Sequence, residues 1–290
     1  MEFRVLGYFL AVAREESISG AAEFLHLSQP TLSRQLKDLE DELGKKLFIR
    51  GNRKITLTEE GMLLRKRAEE IIDLMKKTED EITQSDETVA GDIYIGAAEA
   101  ESVRYLTQCA KELQSEYPMI RYHIASGDRE SVMEQLDKGL IDFALLHDEV
   151  DTTRYERIAV PYKNIWGVLM RRDSPLADKK FVTAEDLKDL PMIVSRQMYK
   201  RSDFQQSLNE VSSNIHVVAT YNLLYNGSLM VEEGMGYALC FDKIINTSGD
   251  SRLCFKPLIP QMETGMAVVW KRYQLFSKAA QKFLQRLRDK

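Results

Sequence analysis

The sequence predicts an α/β chain in three parts: a helix-rich N-terminal winged helix-turn-helix, a long linker helix, and a two-lobed Rossmann-like α/β domain. Three observations carry this. Within residues 1–58, apolar stripes at helical spacing lead through a tight turn into a basic hairpin. From Thr58 to about Gln84, apolar residues recur at alternating intervals of four and three. From Gly91 onward, short apolar strands alternate with helical segments.

Residues 2–14 set Phe3, Leu6, Phe9, Leu10 and Ala13 on one helical stripe. Ser19 is the expected cap of a short second helix, Gly20 to His26, whose Ala21, Ala22 and Leu25 allow a close crossing. After the turn His26-Leu27-Ser28, Ser28 is the N-cap and Pro30 lies in the first turn of a third helix. That helix runs from Gln29 to Glu42 and is stopped by Gly44. Its Leu32, Leu36, Leu39 and Leu43 form the inner stripe, so Pro30, Arg34 and Lys37 project outward, with Gln29 and Ser33 bordering that side. Lys46 to Arg50 and Lys54 to Leu57 read as strands around Gly51-Asn52-Arg53, a wing with a basic tip.

The linker, residues 59–88, carries the seam Leu64, Ala68, Ile71, Met75, Thr78 and Ile82, flanked by charged faces. The seam is expected to pair with a second copy; the plainer alternative is an amphipathic helix packed on its own domain. Residues 89–290 hold strands at Ile93–Ala97, Ile120–Ala125 and Ile141–Leu146, with helices at Arg104–Glu116 and Arg129–Lys138 between them. A second set follows at Trp166–Met170, Met192–Val194, Ile215–Ala219, Tyr237–Phe241 and Met266–Trp270. Its helices are expected near Ala184–Lys188, Phe204–Glu210 and Leu229–Glu233, and a helix from Ser277 to Arg288 closes the chain. Lobe I is then about 91–161 with 267–290, and lobe II about 162–266.

At 290 residues, 44% hydrophobic and 29% charged, the chain has material for about two domains of ~100–200 residues each. Its 15 glycines and 7 prolines exclude collagen-like and low-complexity classes. No apolar run approaches the ~20 residues of a membrane span, so no membrane partner is expected. The start, Met1-Glu2-Phe3-Arg4, lacks the basic opening and cleavage site of a signal peptide, and a cytoplasmic location is expected. The net charge is −5, yet the window Ser28–Lys54 is +3, a local patch suited to a polyanion. Cys109, Cys240 and Cys254 are odd in number and never in Cys-x-x-Cys spacing; His26, His123, His147 and His216 lack ligand spacing. No metal is expected.

The order of motifs resembles a known family. Ser17-Ile18-Ser19-Gly20-Ala21-Ala22-Glu23-Phe24-Leu25, Ser28-Gln29-Pro30-Thr31-Leu32-Ser33-Arg34-Gln35-Leu36, Leu39-Glu40-Asp41-Glu42-Leu43-Gly44, Leu47-Phe48-Ile49-Arg50, Arg53 and Leu57-Thr58-Glu59-Glu60-Gly61 resemble the winged helix-turn-helix of LysR-type transcriptional regulators. Arg171 to Ala177 and Ala184 to Ile193 are similar to the family's effector domain. The chain departs at Gly20, where many members carry a basic or helix-favouring residue. The resemblance implies a linker that forms a dimer, usually a tetramer. It also implies a C-terminal domain like a type 2 periplasmic binding protein, with a small-molecule effector between its lobes and no other cofactor. Double-stranded DNA, a second copy of the chain and RNA polymerase are the expected partners.

On DNA, phosphate contacts supply affinity and base-edge contacts supply sequence. Gln29 suits adenine or a phosphate, Arg34 guanine O6/N7 and Pro30 a thymine methyl; Ser28, which caps the helix, is also expected at the DNA, and Ser33 adds a phosphate or base contact. Arg53 suits a narrow minor groove, and Lys37, Arg50 and Lys54 suit phosphates. One reading helix covers a half-site, so a partly palindromic operator calls for a dimer.

In open α/β lobes, ligands collect beyond the carboxyl ends of the strands. That rule selects Ala98, Glu99 and Ser102, Ser126 and Gly127, and His147 in one lobe. In the other it selects Ser195, Arg196 and Tyr199, then Tyr221 and Asn222. These groups suit a small polar or anionic metabolite, while Glu99 and Glu101 leave a zwitterionic or cationic one open. Gly-x-Gly-x-x-Gly, Walker A, His-Glu-x-x-His and Gly-x-Ser-x-Gly signatures are absent, so no catalytic residue and no enzyme activity are expected. Two alternatives remain: a redox sensor pairing Cys240 with Cys254, and a small-molecule-binding protein with no DNA role.

Overall fold

The computed structural model describes residues 1–51, 54–83, 89–147, 149–200 and 215–290. The chain divides into two compact units, Met1–Gln84 and Ser85–Lys290.

In the first unit, α1 (Phe3–Glu15) buries Val5, Leu6, Phe9 and Val12; Phe3, expected on this stripe, is exposed in the first turn. Helix α2 (Ile18–Phe24) begins two residues earlier than its sequence suggests. Ser17, not Ser19, is the cap, accepting the Gly20 amide at 3.1 Å, because its extended backbone leaves its hydroxyl facing the open amides. Helix α3 (Gln29–Leu43) has Ser28 as N-cap and Gly44 in the left-handed conformation at its end, where a side chain would be strained. Leu32, Leu36 and Leu39 are buried under it, while Leu43 is largely exposed. The two-stranded wing, β1 (Phe48–Arg50) and β2 (Ile55–Leu57), is antiparallel and pairs Phe48 with Leu57. Phe48 also meets Phe9 with ring centroids 5.2 Å apart.

Helix α4 (Glu59–Thr83) opens at Thr58, whose hydroxyl accepts the Gly61 amide at 2.9 Å and donates to the Lys46 carbonyl at 2.7 Å. Gly61 is obligatory here, since a Cβ would lie 2.2 Å from the Leu47 carbonyl oxygen. The expected seam is divided. Ala68 is fully buried in the core of its own unit, and Leu64 and Ile71 pack on that same core, because this face of α4 meets α1. Ile82 is exposed, and the outward apolar residues are Met62, Leu63 and Leu74.

The second unit is built on one ten-stranded sheet, whose main path runs β4-β3-β5-β12-β6-β10-β8-β9. Strands β3 (Gly91–Ala97), β4 (Ile120–Ser126) and β5 (Phe143–His147) are parallel, with α5 (Val103–Glu116) and α6 (Arg129–Lys138) in the connections. In the other half, β8 (Pro191–Ser195), β9 (His216–Tyr221) and β10 (Tyr237–Phe241) are parallel. Two long antiparallel strands, β6 (Tyr155–Arg171) and β12 (Glu263–Lys271), run from one half into the other. Tyr155–Ala159 of β6 pair in the first half, and Trp166–Leu169 pair with β10 in the second. A short β7 (Val182–Thr183) and β11 (Leu253–Ile259) extend the sheet on the far side of β6.

The helix expected near Ala184–Lys188 is a single 3₁₀ turn, Glu185–Leu187. Helix α7 (Arg196–Lys200) follows β8 directly, and the expected Phe204–Glu210 helix lies outside the described residues. Helix α8 (Leu224–Glu232) starts earlier than expected because Leu224, Gly227, Ser228 and Val231 all face inward. The closing helix α9 (Lys278–Arg288) is capped by Ser277 and packs Ala279, Ala280, Phe283 and Leu287 under β3 and α5.

Candidate nucleic-acid interface and ligand cavity

Two kinds of site emerge, one in each unit. In the first, Ser28, Gln29, Pro30, Arg34 and Lys37 are exposed along the outer side of α3, and Ser33 is half-buried beside them. The Ser28 hydroxyl accepts the Thr31 amide at 3.3 Å and lies 2.7 Å from the Thr31 hydroxyl, so it is engaged in holding the helix start. Arg34 is 82% exposed and stands 3.9 Å from Asp38, a loose solvated pair that leaves the guanidinium able to reach a base edge. Lys54 pairs with Glu16 at 2.9 Å and would exchange that partner to meet a phosphate. Arg53 and the Arg50 side chain lie outside the described residues.

Sequence reasoning missed Glu40. Its buried carboxylate accepts hydrogen bonds from Lys46 Nζ at 2.9 Å and from the amides of Leu47 and Phe48 at 2.8 and 3.3 Å, locking α3 to the wing. Burial opposes its ionisation, but those three bonds together outweigh burial and hold the carboxyl below its usual range.

The second site is a cavity of about 880 Å³ between the two halves of the C-terminal unit. Of the residues predicted there, Ala98, Glu99, Gly127, His147, Ser195, Arg196, Tyr221 and Asn222 line it. Ser102, Ser126 and Tyr199 do not. Ser102 is fully buried and bonds Asn164 at 3.0 Å, a strut beneath the cavity, while Ser126 and Tyr199 are exposed outside its lining. Trp166, Cys240, Phe241 and Thr264 also line it. Trp166 and Thr264 escaped because they sit on β6 and β12, which the carboxyl-end rule does not cover. Phe241, at the carboxyl end of β10, was within that rule's reach.

Trp166 donates from its indole to the Thr264 hydroxyl at 2.8 Å, and its ring lies 4.2 Å from that of Phe241. His147 reaches the same Phe241 ring at 5.9 Å. Tyr221 donates to the Leu239 carbonyl at 2.8 Å; burial, then Cys240 and Glu99, push its phenol well above its ordinary value. Cys240 is buried and its thiol is likewise pushed up by desolvation, so it is a poor nucleophile. Cys240 and Cys254 lie on β10 and β11, on opposite sides of β6, and join clusters on opposite faces of the sheet. The expected alternative of a Cys240–Cys254 bridge therefore does not fit, because two strand spacings exceed the ~7 Å limit between bridged Cα atoms. Among the described residues, no group of His, Cys, Asp or Glu is arranged to hold a metal, and no helix is long and apolar enough to cross a membrane.

A winged reading helix joined to a two-halved cavity domain defines a DNA-binding, ligand-binding class of protein. Residues 3–62 match the bacterial regulatory helix-turn-helix of the lysR family, and residues 86–290 match the LysR substrate binding domain. The chain belongs to the LysR family of transcriptional regulators. It is 33% identical over 217 residues to the HTH-type transcriptional regulator BsdA of Bacillus subtilis, covering 72% of each chain. It is 31% identical over 188 residues to a hydrogen peroxide-inducible genes activator of Pectobacterium carotovorum, covering 64% of this chain and 62% of that one. Among solved structures, the LysR family regulator CbnR matches with a TM-score of 0.78 at 18% identity, over 100% of this chain and 99% of that one. CbnR has also been solved in complex with its target DNA and matches equally well. These structural likenesses establish the fold.

Proposed function

We propose that this regulator senses a small-molecule effector held in the cavity between the two halves of its C-terminal unit. We further propose that binding alters its grip on a partly palindromic operator. The supporting observation is the cavity itself. Side chains from the carboxyl ends of β3, β5, β8, β9 and β10 converge on it from both halves, so a bound molecule would favour one arrangement of the halves over another. A single reading helix covers only a half-site, so the reading includes a dimer built through α4 and a tetramer of such pairs. It also has the protein acting in the cytoplasm by binding its ligand, not by turning it over.

The test is footprinting of DNA upstream of the protein's own gene, with and without metabolites that raise the protein's melting temperature. A ligand-dependent change in protection or DNA bend is expected. A ligand that stabilises the protein yet leaves both unchanged would overturn the reading.

A further inference from the structure

Glu99 follows β3 in the first half of the C-terminal unit. Its carboxylate reaches the second half, where it accepts a hydrogen bond from the amide of Leu224, the first residue of α8. Helix N-termini that open on a cleft are where an anionic ligand group settles, because the first-turn amides are unpaired and carry partial positive charge. At α8 that place is taken by the protein's own carboxylate. At α6 it is taken by Asp128, which accepts the Ser131 amide at 2.9 Å.

Two of the three basic side chains that line the cavity are also committed. Arg129 donates to the carbonyls of His147 and Glu149, and Lys200 lies 3.5 Å from Glu130. Glu99 has no cationic partner among the described residues, and the aromatic wall of Trp166, Phe241 and His147 lines the same cavity. Arg196, exposed at the rim, belongs to the half opposite Glu99.

We infer that the cavity takes an organic amine, whose ammonium or amidinium group meets Glu99 while its apolar or aromatic body meets Trp166 and Phe241. An ammonium beside Glu99 gains a charge-assisted hydrogen bond and attraction to the aromatic faces. A carboxylate in the same place meets like charge and finds the α8 amide occupied. The inference rests on the reading of this cavity as the effector site.

Three probes of matched shape test it on the full chain at pH 7: benzylamine, benzyl alcohol and benzoate. Thermal unfolding and Trp166 fluorescence are the readouts. Benzylamine is expected to raise the melting temperature and perturb the fluorescence, and benzoate to do neither. In Glu99→Gln, which keeps an acceptor for the Leu224 amide, benzylamine affinity is expected to fall at least about tenfold and benzoate to gain binding. Benzoate binding the unsubstituted protein as well as benzylamine does, none of the three binding, or an unchanged preference in Glu99→Gln would each overturn the inference. The fate of the site reading is decided separately by Ala98→Trp, which fills the cavity. Benzylamine binding that survives there, in a protein that still footprints DNA, overturns the site reading itself.

Discussion

The Glu40 carboxylate accepts the backbone amide of Leu47 at 2.8 Å, buried where the reading helix gives way to the wing. Three donors converge on this one acid, so its charge is held in place although it is largely removed from water. Glu40→Gln keeps the shape but loses the charge and mismatches a donor against donors. It is expected to lower stability by about 2–3 kcal/mol, measured by urea unfolding.

The sign of the pH effect follows from the same bonds. The folded carboxyl titrates below its usual value near 4.5, so its contribution is fully present above that value. It is lost as pH falls through the lower folded value. The stability gap between the native chain and Glu40→Gln should therefore close on acidification, and a gap independent of pH would contradict this role.

On the outer face of α3, Arg34 and Lys37 are expected to separate by readout. Arg34→Ala should weaken binding to the operator by about 1–3 kcal/mol and relax its sequence preference. Lys37→Ala should weaken binding to all sequences alike and lower the salt-dependence slope by about 1. Footprints and salt titrations with both variants check this. A footprint unchanged in Arg34→Ala would mean that another surface reads the bases.

The reading helix was legible because its signals are local: a serine cap, a proline in the first turn, leucines at helical spacing and a terminal glycine. Glu40 was not, because nothing in the run Glu40-Asp41-Glu42 tells which acid turns inward; only the position of the wing decides it. Strand β11 was missed because Lys256 and Pro257 interrupt its apolar pattern. A proline is tolerated there because the strand lies near the margin of the sheet, paired only with β6 and the two-residue β7. The cavity's predicted half came from the carboxyl-end rule. Its Trp166 and Thr264 depend on where β6 and β12 cross between halves, a long-range pairing that no local pattern encodes.

The cysteines carry a prediction of their own. With Cys240 buried, its thiol pushed up, and β6 between it and Cys254, peroxide should yield no Cys240–Cys254 disulfide. Mass spectrometry of peptides after oxidation checks this, and a bridged peptide would show that the sheet rearranges.

Ser102 separates support from contact. It is buried against Asn164, whose amide nitrogen also lies 3.4 Å from the Thr264 carbonyl, so the pair braces the crossing of β6 and β12. Ser102→Ala should lower stability by about 1 kcal/mol while leaving the affinity of any cavity ligand unchanged. Titration of that variant with a ligand that perturbs Trp166 fluorescence is the measurement. A loss of affinity much larger than the loss of stability would place Ser102 in contact with the ligand.

Helix α4 has two apolar faces with different tasks, and substitution can tell them apart. Ala68 is buried in its own unit, so Ala68→Glu places an unpaired charge in that core and should unfold the N-terminal unit. Leu63 and Leu74 are eleven residues apart, about three turns, and both are exposed on one side of the helix. If that side meets a second copy, a chain carrying both Leu63→Glu and Leu74→Glu should keep its helical circular dichroism and melting temperature while sedimenting with at most half the mass of the unsubstituted assembly. Its DNA affinity should fall to that of a half-site. A double variant that still sediments with the mass of the unsubstituted assembly would move the interface to another face of α4 or off it altogether.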